Sequence, residues 1–163
     1  MKTRTCLIVG ILFAATALVG CGSSAPKSTA APISTTAAVA ALATEIYVYK
    51  SPTCSCCHEW EAYLRAAGYT VNSVPTENMS ELKGQMNIPE SAWSCHTAVI
   101  DGYVVEGHVP IEAITDMLRQ HADIDGISLP GMPAGSPGMP GVKAAPLAVL
   151  TLDGGDTSSF GSY

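Results

Sequence analysis

The chain has 163 residues, with eight Lys and Arg against fourteen Asp and Glu and a formal net charge of −6. That length holds one small domain with a core of its own. So acidic a chain has no phosphate-tracking surface, which excludes nucleic acid as a partner.

Met1-Lys2-Thr3-Arg4 is a short basic start, and Leu7 to Val19 is an apolar run too short to span a bilayer comfortably. Residues 1–20 therefore read as an export signal. The ending Leu18-Val19-Gly20-Cys21 is similar to the lipobox of bacterial lipoproteins. That resemblance implies that Cys21 is lipidated and becomes the first residue. With Gly22 rather than Asp behind it, it implies an outer-membrane lipoprotein facing the periplasm. Residues 21–43, mostly Ser, Thr, Ala and Pro, are the expected lipid-anchored tether. The domain is expected over residues 44–163.

Ile46 to Tyr49 is apolar and β-prone, and Cys54-Ser55-Cys56-Cys57-His58 follows directly. Trp60, Tyr63, Leu64 and Ala67 then recur at helical spacing, and Gly68 ends that helix. Tyr69 to Val74 is a second strand, closed by Pro75. Met79, Leu82 and Met86 mark a short, weak helix with both methionines as core. Trp93-Ser94-Cys95-His96 leads into Thr97 to Ile100. Asp101-Gly102 is a hairpin turn before Tyr103 to Val105. Pro110 suits the first turn of a helix whose apolar face is Ile111, Ile114, Met117 and Leu118. His108 is read as a cap for that helix, and His121 as a cation favoured at its far end. Residues 130–141 are Pro/Gly-rich with Gly-Met-Pro repeated at 131–133 and 138–140. The apolar run Leu147 to Leu152 and the tail to Tyr163 form a terminal hairpin at the sheet edge. The order β-α-β-α-β-β-α is that of a thioredoxin-like α/β fold, here with a Pro/Gly-rich C-terminal extension. Such a fold places the thiol motif at the N-terminus of the first helix, facing the loop before the third strand.

Six cysteines reduce to four, since Cys6 leaves with the signal and Cys21 carries lipid. Cys54, Cys56, Cys57 and Cys95 remain. In an oxidising compartment they are open to pairing as Cys54–Cys57 with Cys56–Cys95. As thiolates at a helix N-terminus they are soft donors suited to Cu(I), with zinc second. Cys56, an extra thiol inside the Cys54–Cys57 C-x-x-C spacing, favours metal over plain dithiol chemistry. His96, beside Cys95, and His58 are the added candidate ligands, with His108 and the thioethers of Met132 and Met139 behind them. Three rivals stand. One is a thiol-disulfide oxidoreductase with Cys54 as nucleophile and Cys57 as resolving thiol. Another is haem attachment, since residues 54–58 satisfy C-x-x-C-H. The last is a structural zinc site.

Taken together, Cys-x-Cys-Cys-His, Ser-Cys-His-Thr and Gly-Met-Pro-Ala-Gly-Ser-Pro-Gly-Met resemble the extracytoplasmic CopG-type proteins associated with bacterial copper resistance. The resemblance covers about residues 44–163. It implies a thioredoxin-like domain that binds copper through Cys54, Cys56, Cys57 and Cys95, as a thiolate-bridged cluster with Cu(I)/Cu(II) redox activity. Other periplasmic copper-handling proteins are the implied partners.

Overall fold

In the first strand, β1 (Glu45–Lys50), every second side chain is buried, Ile46, Val48 and Lys50 on one face. The computed structural model describes residues 44–163. The expected signal, lipidated Cys21 and tether lie outside the described residues. Helix α1 (Ser55–Ala66) follows, then β2 (Thr70–Pro75), α2 (Met79–Gln85) and a single 3-10 turn at Glu90–Ala92. Next come β3 (His96–Ile100), β4 (Tyr103–Glu106) and α3 (Ile111–Gln120). The chain closes with β5 (Gly126–Ser128), β6 (Ala148–Asp153) and β7 (Asp156–Ser162).

All seven strands join one mixed sheet in the order β2-β1-β3-β4-β5-β6-β7. β1 runs parallel to β2 and antiparallel to β3, which pairs antiparallel with β4. Up to α3 the elements arrive in the order their spacing predicts. The Asp101-Gly102 turn takes φ of 49° and 86°, the left-handed pair that a two-residue hairpin requires. Gly68, at φ 97°, lies just beyond the end of α1.

The sheet is larger than the expected one. β5 is only three residues long, too short to leave a periodic signature, yet it pairs parallel with β4. Position 126 must be glycine, because a Cβ there would sit 2.0 Å from the Val104 carbonyl oxygen. The terminal hairpin turns at Gly154-Gly155 and is carried on β5 through β6.

One face of the sheet holds the main core. Ile46, Val48, Ala98, Ile100 and Val105 pack against Trp60 and Leu64 of α1 and Ile114 and Met117 of α3. Val104, one residue from Val105 and so on the opposite face, packs with a smaller group of Ile88, Ala92 and Leu152. Met86 is half-buried against this second group, and Met79 is half-buried in α2. Among the described residues no helix is long and apolar enough to cross a membrane.

Candidate metal centre

Cys54 is the N-cap of α1 and makes no side-chain cap bond, while its N–H donates to the Ser51 carbonyl at 3.1 Å. The first turn therefore offers free N–H groups, and it contains no acidic residue. Both features favour negative sulfur at this end of the helix. The helical repeat puts Cys57, Trp60, Glu61 and Leu64 on the buried face. Cys54 and Cys56 stay half-exposed.

Cys95 comes from the loop entering β3, directly opposite. Its Sγ lies 3.8 Å from Cys56 Sγ and 3.7 Å from Cys57 Sγ, and Cys56 Sγ lies 3.6 Å from Cys54 Sγ. All four sulfurs fall within 4.8 Å of one another. The two loops thus meet as the sequence predicts. Cys54 and Cys57 are joined by a disulfide, and Cys56 and Cys95 are free thiols.

A second group shares Cys95. His96 Nδ1 is 3.3 Å from Cys95 Sγ, and His108 Nε2 is 3.1 Å from it. Sulfur and both imidazoles fall within the same 4.8 Å limit. His108 is not the helix cap expected of it. The N-cap of α3 is Pro110, and the first helical N–H, that of Ile111, donates to the Tyr63 hydroxyl at 3.0 Å. Gly107, at φ 80°, turns the chain after β4, and His108 is fully buried beside the cysteines. This turn brings it there, as one of the candidate donors the sequence offers.

The Pro/Gly-rich extension sets the chemistry of His108. Its Nδ1 is 2.7 Å from the Pro137 carbonyl, which accepts only, so Nδ1 carries the proton and Nε2 presents a lone pair to Cys95. Gly138 lies so close to α1 that a Cβ would stand 2.6 Å from the Trp60 nitrogen. That contact fixes the carbonyl beside it. Met132 of the same loop is exposed and Met139 is half-buried.

Burial holds both histidines below the ordinary 6.5, His96 well below, where a proton on neighbouring His108 and the charge of Lys83 further oppose its protonation. Burial and the neighbouring Cys56 push the Cys95 thiol up to about 12. Its single proton is therefore retained and donated to His108 Nε2. Nδ1–H of His96 then faces the sulfur. His96 Nε2 is left buried without any hydrogen-bond partner. The imidazole is held by its rings instead, 4.4 Å from Trp60 and 4.9 Å from His108.

His58 belongs to neither group. It leans over Lys50, whose Nζ is 2.7 Å from His58 Nδ1, and lies 3.8 Å from Glu61. His121 ends α3 in the left-handed region at φ 45°.

Sequence reasoning did not find the charged cluster beneath the second loop. Lys83 of α2 and Glu106 of β4 form a buried ion pair. Glu106 also accepts the Ser94 N–H at 2.6 Å and the Thr97 hydroxyl at 2.6 Å, and Lys83 donates to Thr97 at 2.9 Å. One carboxylate thus grips the residues on either side of Cys95-His96. Burial raises the Glu106 carboxyl above its ordinary range, and the Lys83 charge draws it back.

A family whose description reads "Protein of unknown function, DUF411" matches residues 92–139, the stretch carrying Cys95, His96, His108 and the loop to Met139. No curated protein matches. Two solved structures do. "Copper resistance protein copG- Form 2" is 41% identical over 74% of this chain and 98% of its own, with a TM-score of 0.68. "Copper resistance protein copG- Form 1" is 41% identical over 73% and 96%, with a TM-score of 0.67. An acidic chain with two facing thiol loops, related at this level to those structures over nearly their whole length, belongs to the CopG family of copper resistance proteins.

Proposed function

We propose that this chain binds copper outside the cytoplasm and contributes to copper resistance. The observation that carries the reading is the convergence of four sulfurs from two loops within 4.8 Å, with two neutral imidazoles against one of them. Sulfur and imidazole are soft to borderline donors that suit Cu(I), and carboxylate-preferring ions would find nothing here. The donor set fits the metal on two further counts. Pro137 holds the His108 proton on Nδ1 and so turns Nε2 as an acceptor toward Cys95, and His96 Nε2 is a buried polar atom with no protein partner. Copper would be held by Cys54, Cys56, Cys57 and Cys95, with His96 and His108 as added donors. Zinc is the second choice for the same atoms.

The bound ion would supply a one-electron couple. The protein supplies the clustered sulfurs and a half-exposed rim for access. With Cys54 and Cys57 bonded, two donors are withheld, so loading through all four sulfurs requires that bond to be reduced. The scaffold we read as thioredoxin-like, on the sheet order β2-β1-β3-β4 and the thiols at the head of α1. Residues 1–20 as signal, Cys21 as lipid anchor and 21–43 as tether complete the reading, with the outer membrane as the site of attachment.

Copper and zinc content, with a thiol count, tests this on the full chain purified anaerobically from medium containing both metals. More than one copper per chain with the cluster thiols masked is expected. Cys95→Ser should lower both copper stoichiometry and affinity. One zinc and no copper would overturn the copper assignment.

A second reading, a thiol-disulfide oxidoreductase, is favoured by the Cys54–Cys57 disulfide at C-x-x-C spacing. It predicts turnover with a dithiol reductant by metal-free protein, lost in Cys54→Ser.

A further inference from the structure

The Cys54–Cys57 disulfide leaves Cys56 and Cys95 as the two reduced sulfurs of the cluster. Cys56 sits in the first turn of α1 and Cys95 in the loop entering β3, 39 residues apart, with Sγ atoms 3.8 Å from each other. Both side chains are half-exposed. A disulfide needs its sulfurs at about 2.05 Å, so about 1.8 Å of closure by side-chain rotation is required. Cys95 Sγ is as near to Cys57 Sγ, at 3.7 Å, but Cys57 is already bonded to Cys54, so Cys56–Cys95 is the pairing open to the two free thiols. Cys56 and Cys57 are sequence neighbours on one helical turn, where the Cα separation and dihedral of a disulfide are hard to meet.

We propose that Cys56 and Cys95 form a second disulfide alongside Cys54–Cys57, so that the cluster stores four electrons rather than two. The storage itself needs no metal. Its use on copper rests on the copper reading above, and there the balance is definite. Four thiols and four Cu(II) ions give two disulfides, four Cu(I) ions and four protons. Each thiol gives up one electron and releases its proton to solvent, and each Cu(II) gains one electron. A C-x-x-C pair alone would stop at two Cu(I) ions per chain. Cys56 and Cys95 thereby acquire a role distinct from ligation, and the stapled loops no longer offer a free thiolate to a soft ion. The fully oxidised chain is then a copper-releasing form.

The test uses the full chain carrying Cys6→Ser and Cys21→Ser, so that only the four cluster thiols remain. Fully reduced protein is treated anaerobically with diamide, without metal, and its mass and disulfide-linked peptides are determined. Loss of four hydrogens per monomer, with a linked Cys56–Cys95 peptide, is expected. Loss of two hydrogens, with Cys56 and Cys95 still open to alkylation, overturns the proposal, as would linkage of these cysteines only between chains. In a parallel experiment reduced protein meets excess Cu(II) and a chromogenic Cu(I) chelator. Four Cu(I) ions per chain are expected, falling to two in both Cys56→Ser and Cys95→Ser. Two from the unsubstituted cluster overturns the four-electron store while leaving the copper reading intact. Two disulfides with diamide and no Cu(I) at all supports the second disulfide and sinks the copper reading.

Discussion

Two buried polar clusters flank the start of β3, and they are built on opposite rules. The Lys83–Thr97–Glu106 cluster is closed: carboxylate, ammonium and hydroxyl satisfy one another, and the remaining reach of the carboxylate goes to the Ser94 N–H. The Cys95–His96–His108 cluster is open. Its thiol keeps its proton, its imidazoles are neutral, and one nitrogen of His96 is left without a partner. Burying charge is tolerable only with full pairing, so the closed cluster is a structural clamp. An unpaired buried donor or acceptor costs about 1–3 kcal/mol, and a site that keeps one is held ready for something else. The closed cluster positions the open one, through Ser94 on one side and Thr97 on the other.

Removing one half of the clamp should have the largest effect. Glu106→Ala leaves a buried ammonium without a counter-charge and should cost about 3–5 kcal/mol in urea unfolding. Lys83→Met with Glu106→Leu should recover much of that loss. If Glu106→Ala is nearly neutral, the clamp is not what holds the second loop. Gly107→Ala strikes the hinge between the clusters. A Cβ there would stand 2.5 Å from Ser94 Cβ at a φ of 80°, and overpacking of this kind costs about 1–3 kcal/mol. A matching loss of copper affinity would tie the hinge to the site.

The open cluster should declare itself in acid. His96 and His108 stay neutral when folded but take up protons near 6.5 when unfolded. Their contribution is therefore complete above that pH and is lost as pH falls below it. Each steepens the decline by up to about 1.4 kcal/mol per pH unit. The comparison is metal-free, reduced wild type against His108→Asn by chemical unfolding between pH 7 and 5. An unchanged slope would mean that His108 is protonated alike in both states. The smallest effect is a control on α2, whose cap Asn78 accepts the Glu81 N–H at 3.3 Å. Asn78→Ala should cost about 1 kcal/mol and leave copper stoichiometry unaltered.

Local chemistry explains which of this was readable. Asp101-Gly102, Gly68 and the run from Trp60 to Leu64 carry turn and period signals within a few residues, and the structure follows them. The meeting of the two thiol loops was readable because adjacent cysteines and histidines are hard to account for as packing alone. The clamp was not. Lys83 lies in a weak seven-residue helix, where lysine ordinarily faces water, and its partner is 23 residues away. His108 reads first as a cap and only second as a donor for a similar reason: its neighbour Pro110 announces a helix, while the turn at Gly107 and the carbonyl of Pro137 decide where the ring goes. Non-local pairing leaves no mark on spacing.

The close, tilted contact of Trp60 with His96 equips the protein with its own optical gauge. An indole 4.4 Å from an imidazole of the open cluster has its emission governed by that ring and by any ion the ring receives. The other tryptophan, Trp93, is half-buried with the smaller group beside Ile88, its indole N–H on the Ile88 carbonyl at 2.8 Å. In a Trp93→Phe protein a single lamp remains, set against the pocket wall. Its brightness would follow filling and emptying in real time, without a dye.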